Sequence, residues 1–362
     1  MMLHYQEPSA TVYCGHALDL KELPAESVDM CITSPPYWGL RTYKTEPQIW
    51  DSKDGCGHEW VTEEFTQHSE QKPVADMKLD RQFCLKCNAW RGELGLEPTI
   101  ELYISHLIQI FNEVKRVLKK TGTCWVNIDD SYNANYRGSA IRNEWHKQKR
   151  SIAEVEFMGK PAPDRCGIPA KSLCLIPQRF AIAMVEQGWI LRNDICWNKP
   201  NPMPESVKDR FTGSWEHLYF FVKSKKYWFE QQFEAYQPSS LPRMEYPRYA
   251  LGSKGDTKEY AVVTTNYNLN ELGRNKRDVW EITTQGYPEA HFATFPEKLC
   301  ETPILAGCPK DGVVLDPFCG SGTTLAVAKR LNRKGIGVDI NPDYCKLAVK
   351  RIQKIPIPME LI

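Results

Sequence analysis

The sequence predicts a doubly wound α/β fold, a mainly parallel sheet with helices on both faces, interrupted by inserted segments. Three observations predict it. Strand-like apolar runs alternate with helical periodicity over 10–33, 99–130 and 173–225. The C-terminal stretch reads strand, glycine turn, helix, strand, acid, the layout of a nucleoside-binding unit. Between these periodic stretches lie segments without a regular apolar repeat, which read as insertions.

Residues 10–33 read strand, helix or turn, strand, and end in the apolar run Val28 to Ile32. Thr33-Ser34-Pro35-Pro36-Tyr37-Trp38 follows. Each proline fixes φ and removes an N–H. The residue before each is pushed towards extended geometry. The Ser34 hydroxyl and the Pro35 carbonyl are then free to accept hydrogen bonds, and Tyr37 and Trp38 offer flat faces for a base. These parts suit alkylation of an exocyclic amine on a nucleobase. Taken alone, the hexapeptide reads equally well as a polyproline turn with Tyr37 and Trp38 in the core.

Glu101 to Lys119 carries apolar residues at Tyr103, Leu107, Phe111, Val114 and Leu118, one face of a helix. Gly122 is expected to end it, and Thr123 to Ile128 reads as a strand. Ile176 to Gln187 reads as helix with Gly188 as its stop; Trp189 to Trp197 and His217 to Val222 read as strands. Val313 to Leu315 reads as a buried strand, and Gly320 and Gly322 allow a tight turn and close approach to a ligand. A helix follows through Arg330, then the strand Lys334 to Asp339. Asp339 stands where an acid commonly takes ribose hydroxyls. No Gly-Lys-Ser/Thr follows the glycines, so this is not a P-loop. A last helix has Asn341 as cap and Pro342 in its first turn.

The net charge is only +1, so a nucleic-acid partner requires positive charge gathered on one surface. Arg137, Arg142, Lys147, Lys149 and Arg150 form the densest basic group; Arg274, Lys276 and Arg277 form a smaller one. No apolar stretch approaches a membrane span, and the first residues lack a basic n-region and apolar h-region. The expectation is a cytoplasmic protein with no membrane partner. The 13 cysteines are odd in number, which favours free thiols and a metal site over a disulfide framework.

Cys84-x-x-Cys87 has zinc-knuckle spacing, and Cys56-x-His58 lies upstream. The two pairs supply the four ligands of a closed tetrahedral site, structural rather than catalytic because no position stays open. His68 competes with His58 for the fourth place.

The Ser34 turn and the Asp316-Pro317-Phe318-Cys319-Gly320-Ser321-Gly322-Thr323-Thr324 loop together resemble the DNA amino-methyltransferases that use S-adenosylmethionine. With the turn first and the loop last, the order resembles the permuted β group. The resemblance implies a Rossmann-like methyltransferase sheet. It implies that Ser34, Pro35, Pro36 and Tyr37 hold the target amine. It places the methyl donor on Asp316, Pro317, Phe318, Gly320, Gly322, Thr323 and Asp339. His291 to Leu299 looks like the family's pre-loop motif, which adds His291, Thr294 and Phe295 to the donor site. Where the family often has Gly-Asp this chain has Gly15-His16, with Asp19 the nearest acid.

The expected division is 1–40, 99–130 and 173–225 as core, 41–98 as the zinc-binding insertion and 131–172 as a basic insertion. Residues 226–290 are expected to form the target-recognition region, and 291–362 the S-adenosylmethionine-binding part. Ser-Pro-Pro-Tyr resembles cytosine-N4 enzymes; adenine N6 is the alternative base. A non-catalytic, zinc-bearing DNA-binding protein is the rival of a different class. The implied partner is double-stranded DNA, in a prokaryotic or phage-infected cell, with a cognate restriction endonuclease as a companion the resemblance admits.

Overall fold

The computed structural model describes residues 1–40, 42–43, 45–60, 82–133, 167–236, 248–251, 260–263, 270–284 and 295–356, with backbone alone for 248–251 and 260–263. His68, the basic group from Arg137 to Arg150, His291 and Thr294 lie outside the described residues.

In chain order the elements are β1 (Met2–Glu7), β2 (Ala10–Cys14), β3 (Val28–Thr33), β4 (Gln48–Trp50), β5 (Trp90–Gly92), α1 (Ile100–Val117), β6 (Leu118–Ile128), α2 (Ile176–Glu186), β7 (Ile190–Asn198) and β8 (Trp215–Val222). They continue with β9 (Phe233–Glu234), β10 (Arg248–Leu251), β11 (Tyr260–Val263), β12 (Arg274–Asn275), β13 (Val279–Glu281), α3 (Glu297–Gly307), β14 (Val313–Asp316), α4 (Thr323–Arg330), β15 (Lys334–Asp339) and α5 (Pro342–Gln353). One nine-stranded sheet has the order β1-β2-β15-β14-β3-β6-β8-β7-β13. Only β1 and β8 run against the common direction. The carboxyl ends of β15, β14, β3 and β6 therefore share one edge with the start of β8.

Alternation along the strands sorts side chains to the two faces. Leu218, Phe220 and Val222 join Met30, Ile32 and Trp125 under α3 and α4, against Ile304 and Val327. Tyr219 and Phe221 join Cys124, Val126 and Ile128 under α1 and α2, against Phe111 and Phe180. Both faces are covered, which is why β8 reads as an unbroken apolar run after its first residues.

Helix α1 starts where Thr99 accepts a hydrogen bond from the Leu102 N–H at 3.2 Å, with Glu101 in the first turn and Lys115 and Arg116 in the last. It ends earlier than the apolar spacing suggests. Leu118 is extended and opens β6, pairing with Val28. Gly122 is not the helix stop. It lies inside β6 where pairing with β3 is irregular, and a Cβ there would stand 2.9 Å from the Asp29 carbonyl oxygen.

The 226–290 segment is partly core. Its β13 is the edge strand beside β7, and Phe229 stacks on Phe220 with ring centroids 5.7 Å apart. The small basic cluster there is largely neutralised, since Arg274 and Arg277 both lie within 3 Å of a Glu234 oxygen. Among the described residues no helix is long and apolar enough to cross a membrane.

Candidate active site at the carboxyl edge of the sheet

Strands β3 and β14 are parallel neighbours, with Cys31 beside Leu315. β3 runs into the Ser34 turn and β14 into the glycine loop, so adjacency of the strands makes the two motifs adjacent. One contact joins them directly. The Thr33 hydroxyl donates to Asp316 Oδ1 at 2.6 Å. Thr324 donates to Oδ2 at 2.6 Å, and the Phe318 N–H reaches Oδ1 at 3.1 Å. Asp316 is 1% exposed. Burial pushes its carboxyl up to about 6, although the three donors favour the ionised form. The structure places Asp316 beneath the loop as a brace between the two motifs, with its oxygens turned to protein groups.

The loop above it is shaped by two glycines at positive φ, Gly320 at 49° and Gly322 at 78°. Gly322 also has no room for a side chain, because a Cβ would lie 2.8 Å from Ala348 Cα in α5. The Gly320 N–H donates to Asp339 Oδ2 at 2.8 Å and the Asn341 N–H to Oδ1 at 2.9 Å. A carboxylate has about four acceptor sites, so Asp339 retains capacity for ligand hydroxyls. Its carboxyl is pushed up to about 6, chiefly by burial. Pro317 and Thr323 are buried, whereas Phe318, Gly320 and Asp339 stay partly open. Thr323 accepts from Arg351 at 2.8 Å, and Arg351 pairs with Glu297 at 2.7 Å, tying α3, α4 and α5 together. Phe295 packs partly buried near the start of α3.

The Ser34 turn is held from several sides. The Tyr103 hydroxyl of α1 donates to the Pro36 carbonyl at 2.7 Å. The Trp38 indole N–H donates to the Glu97 carbonyl at 3.0 Å, and the Gly39 N–H to the Gly95 carbonyl at 2.8 Å. Trp38 is thus an anchor of the turn. Tyr37 is only partly buried, but its hydroxyl reaches inward. It stands 2.7 Å from Glu216 Oε2, 3.1 Å from Asn127 Oδ1 and 3.3 Å from Ser34 Oγ. Asn127 Nδ2 donates to the same Glu216 oxygen at 2.9 Å, and Lys199 pairs with the other. Burial first, then Glu216 and Asp129, holds the Tyr37 hydroxyl well above the usual phenol range. Asp129, just past β6, is pushed up to about 7 by burial and by Glu216.

Sequence reasoning missed Glu97, Tyr103, Asn127, Lys199 and Glu216. A usable signal was present for two of them. Asn127 and Glu216 are polar residues at the ends of otherwise apolar strands, where a buried polar group needs a partner.

Cys56, His58, Cys84 and Cys87 come together, with all four ligand atoms within 4.8 Å of one another. Cys87 Sγ lies 3.4 Å from His58 Nδ1 and Cys56 Sγ lies 4.0 Å from Cys84 Sγ. Those spacings match the edges of a tetrahedron with metal bonds of about 2.0 to 2.3 Å. The hairpin β4–β5 leads from this cluster to Gly95 and Glu97 beside the Ser34 turn. Elsewhere, His16 is half-buried with its ring edge-on to Trp50 and its titration pushed down to about 4 by desolvation, and Asp19 is taken by the Met1 ammonium at 3.0 Å. Cys308 is fully buried and its thiol is pushed up to about 12, so it is no nucleophile.

Comparison with known proteins agrees with this geometry. The type II methyltransferase M.Cfr9I of Citrobacter freundii is 35% identical over 97% of this chain and 91% of its own length. M.SmaI of Serratia marcescens is 34% identical over 95% of this chain and 91% of its own. Among solved structures, PvuII DNA methyltransferase (cytosine-N4-specific) aligns over 95% of this chain and 86% of that one, with a TM-score of 0.53 at 18% identity. A putative DNA modification methylase from Thermus thermophilus, complexed with S-adenosyl-L-methionine, aligns over 96% and 94% with a TM-score of 0.50 at 18% identity. The family described as DNA methylase, of the N6/N4 methyltransferase type, matches residues 28–350. With the Ser34 turn and the glycine loop joined at one edge of the family's sheet, the chain belongs to the N6/N4 DNA methylases and is a DNA methyltransferase.

Proposed function

We propose that the protein transfers a methyl group from S-adenosylmethionine to the exocyclic N4 of a cytosine flipped out of double-stranded DNA. The 2.6 Å bond between Thr33 and Asp316 carries the reading, because it locks the amine-holding turn and the nucleoside-type loop into one crevice. The Ser-Pro-Pro-Tyr turn and the cytosine-N4-specific PvuII enzyme favour cytosine over adenine N6.

S-adenosylmethionine, when bound, supplies an electrophilic methyl group on a sulfonium. Gly320 and Phe318 would line its cradle, and Asp339 would accept from its ribose hydroxyls. The target amine is a weak nucleophile, since its lone pair is delocalised into the ring. Ser34 Oγ and the Pro35 carbonyl accept hydrogen bonds from its two N–H groups, favour a pyramidal nitrogen and aim its lone pair across the crevice. As the N–CH3 bond forms and the S–CH3 bond breaks, the sulfonium leaves as a neutral thioether and the nitrogen sheds one N–H proton to water. The rate then comes from positioning and preorganised dipoles. The target atom is hidden in a duplex, so the base must leave the stack, with the partly exposed Tyr37 as its stacking partner.

Incubation with isotopically labelled donor and DNA, digestion to nucleosides and mass spectrometry test this. N4-methylcytosine is the expected product. N6-methyladenine would move the assignment to the alternative base. No labelled nucleoside at all would favour a non-catalytic DNA-binding protein.

The four Cys and His side chains fit a structural zinc ion, closed to substrate and stapling a segment with little core of its own. Purified protein is expected to hold one zinc ion, lost in Cys84→Ser. A content below about 0.3 equivalents under non-chelating conditions would count against the site.

A further inference from the structure

We propose that Glu216 is a positioning residue that fixes the direction of the Ser34 hydroxyl, acting through Tyr37. The inference rests on the Ser34 turn holding the target amine, and it assigns Tyr37 a second task besides receiving the base.

The argument is one of donors and acceptors. Glu216 Oε2 accepts from Asn127 Nδ2 at 2.9 Å, and its other oxygen takes the Lys199 ammonium. Two donors, one of them charged, keep Glu216 an acceptor-only carboxylate. Asn127 cannot be turned round, because its Nδ2 also donates to the His217 carbonyl at 3.1 Å. The Tyr37 hydroxyl lies 2.7 Å from Glu216 and 3.1 Å from Asn127 Oδ1, and its single proton goes to the nearer and charged acceptor, Glu216. Having given that proton away, Tyr37 can only accept from Ser34 at 3.3 Å. The Ser34 proton is then directed inward, and its lone pairs face the crevice. An amine offers hydrogens, so a serine with its proton pointing outward would repel it. The high Tyr37 titration is consistent with a phenol that stays protonated and keeps donating. Glu216 comes from the start of β8 and Asn127 from the end of β6, so both are held by the sheet.

Tyr37→Phe removes one hydroxyl and keeps the ring. Glu216 retains Asn127 and Lys199, so the fold is expected to survive. The expected result is a fall in kcat of about 10- to 100-fold with KM for DNA within about twofold, because positioning is lost and stacking is kept. Glu216→Gln should match it. The deciding readout is the double variant Ser34→Ala/Tyr37→Phe, expected to be no slower than Ser34→Ala alone. A mere loss of folded protein would multiply the two defects instead. If Glu216→Gln does not fold, the Ser34–Tyr37 cycle still decides. Should Ser34→Ala be impaired while Tyr37→Phe keeps more than half of the wild-type kcat, or should the two losses multiply, the relay is wrong and the amine-holding turn stands. Should Ser34→Ala run at the wild-type rate, the amine-holding turn itself falls.

Discussion

Residues 313–341 build the glycine loop from one continuous strand, turn, helix and strand, whereas the Ser34 turn is held by the Glu97 carbonyl and by the side chains of Tyr103, Asn127 and Glu216, with Lys199 behind Glu216. The loop depends on backbone. Positive φ at two glycines and N–H groups aimed at Asp339 set its shape. The turn depends on long-range bonds to a loop, a helix and two strands that approach only in the folded protein. A locally encoded loop should be damaged by local backbone change and indifferent to the pocket across the crevice. A turn held from afar should lose chemistry without losing the fold.

Ser34→Ala makes the widest break between the two regions. Turnover is expected to fall about 100- to 1000-fold, comparable with removing one preorganised polar group from an active site. Donor affinity by calorimetry should stay unchanged, because the loop is built without Ser34. A parallel loss of donor affinity would mean the regions are not separable.

Gly322→Ala attacks the other region. It forces a Cβ onto φ 78° and to within 2.8 Å of Ala348 Cα. Left-handed strain and overpacking together should cost roughly 3 to 4 kcal/mol in urea unfolding. Gly320→Ala is the sharper control in the same loop. Its φ is 49° and nothing crowds it closer than 4.0 Å, so strain alone applies, about 1 to 2 kcal/mol. Equal costs at the two positions would show that crowding against α5 does not matter.

The same contrast explains what the sequence made legible. Loop, helix start and acid fall in order within one stretch, so glycine spacing and a strand-ending aspartate were enough to read them. The metal-type cluster was legible for a similar reason, since Cys84-x-x-Cys87 is a local spacing, and its partners Cys56 and His58 form a second one. The supports of the Ser34 turn were not legible. Nothing in the sequence near Glu216 says that β8 runs antiparallel beside β6, which is what brings Glu216 to Asn127. Trp38 reads as a stacking face or as core alike, because an aromatic residue in a turn has no sequence mark to distinguish a base platform from an anchor. Asp316 holds a motif position that resembles a donor contact, and motif position does not reveal its bonds to Thr33 and Thr324.

Asp316 offers a pH test of that downward position. Its folded carboxyl titrates near 6, above the ordinary value of an unfolded chain. Between about pH 4 and 6 the folded state therefore holds more protons, so the stability this group contributes is full below that window and is lost as pH rises through it. Relative to Asp316→Asn, wild-type protein should lose about 2 to 3 kcal/mol of unfolding free energy across that window. A flat difference would mean that Asp316 is better solvated than its burial implies.

Asp339 should show the smallest effect and the opposite pH sign. On the proposed reading it accepts from ribose hydroxyls as a carboxylate, and burial pushes its titration up to about 6 in the free protein. Above that pH, Asp339→Ala should weaken donor binding by about 10-fold, in keeping with hydrogen bonds to a charged group. Below it, wild-type affinity should fall towards that of the variant, because binding must first remove a proton. The variant should show no titration in this range. Two carboxylates at one edge of the sheet would then respond to the same pH in opposite ways, Asp316 through folding and Asp339 through the ligand. An affinity that does not change from pH 5 to 8 in wild-type protein would separate Asp339 from the ribose and leave it only the loop contacts with Gly320 and Asn341.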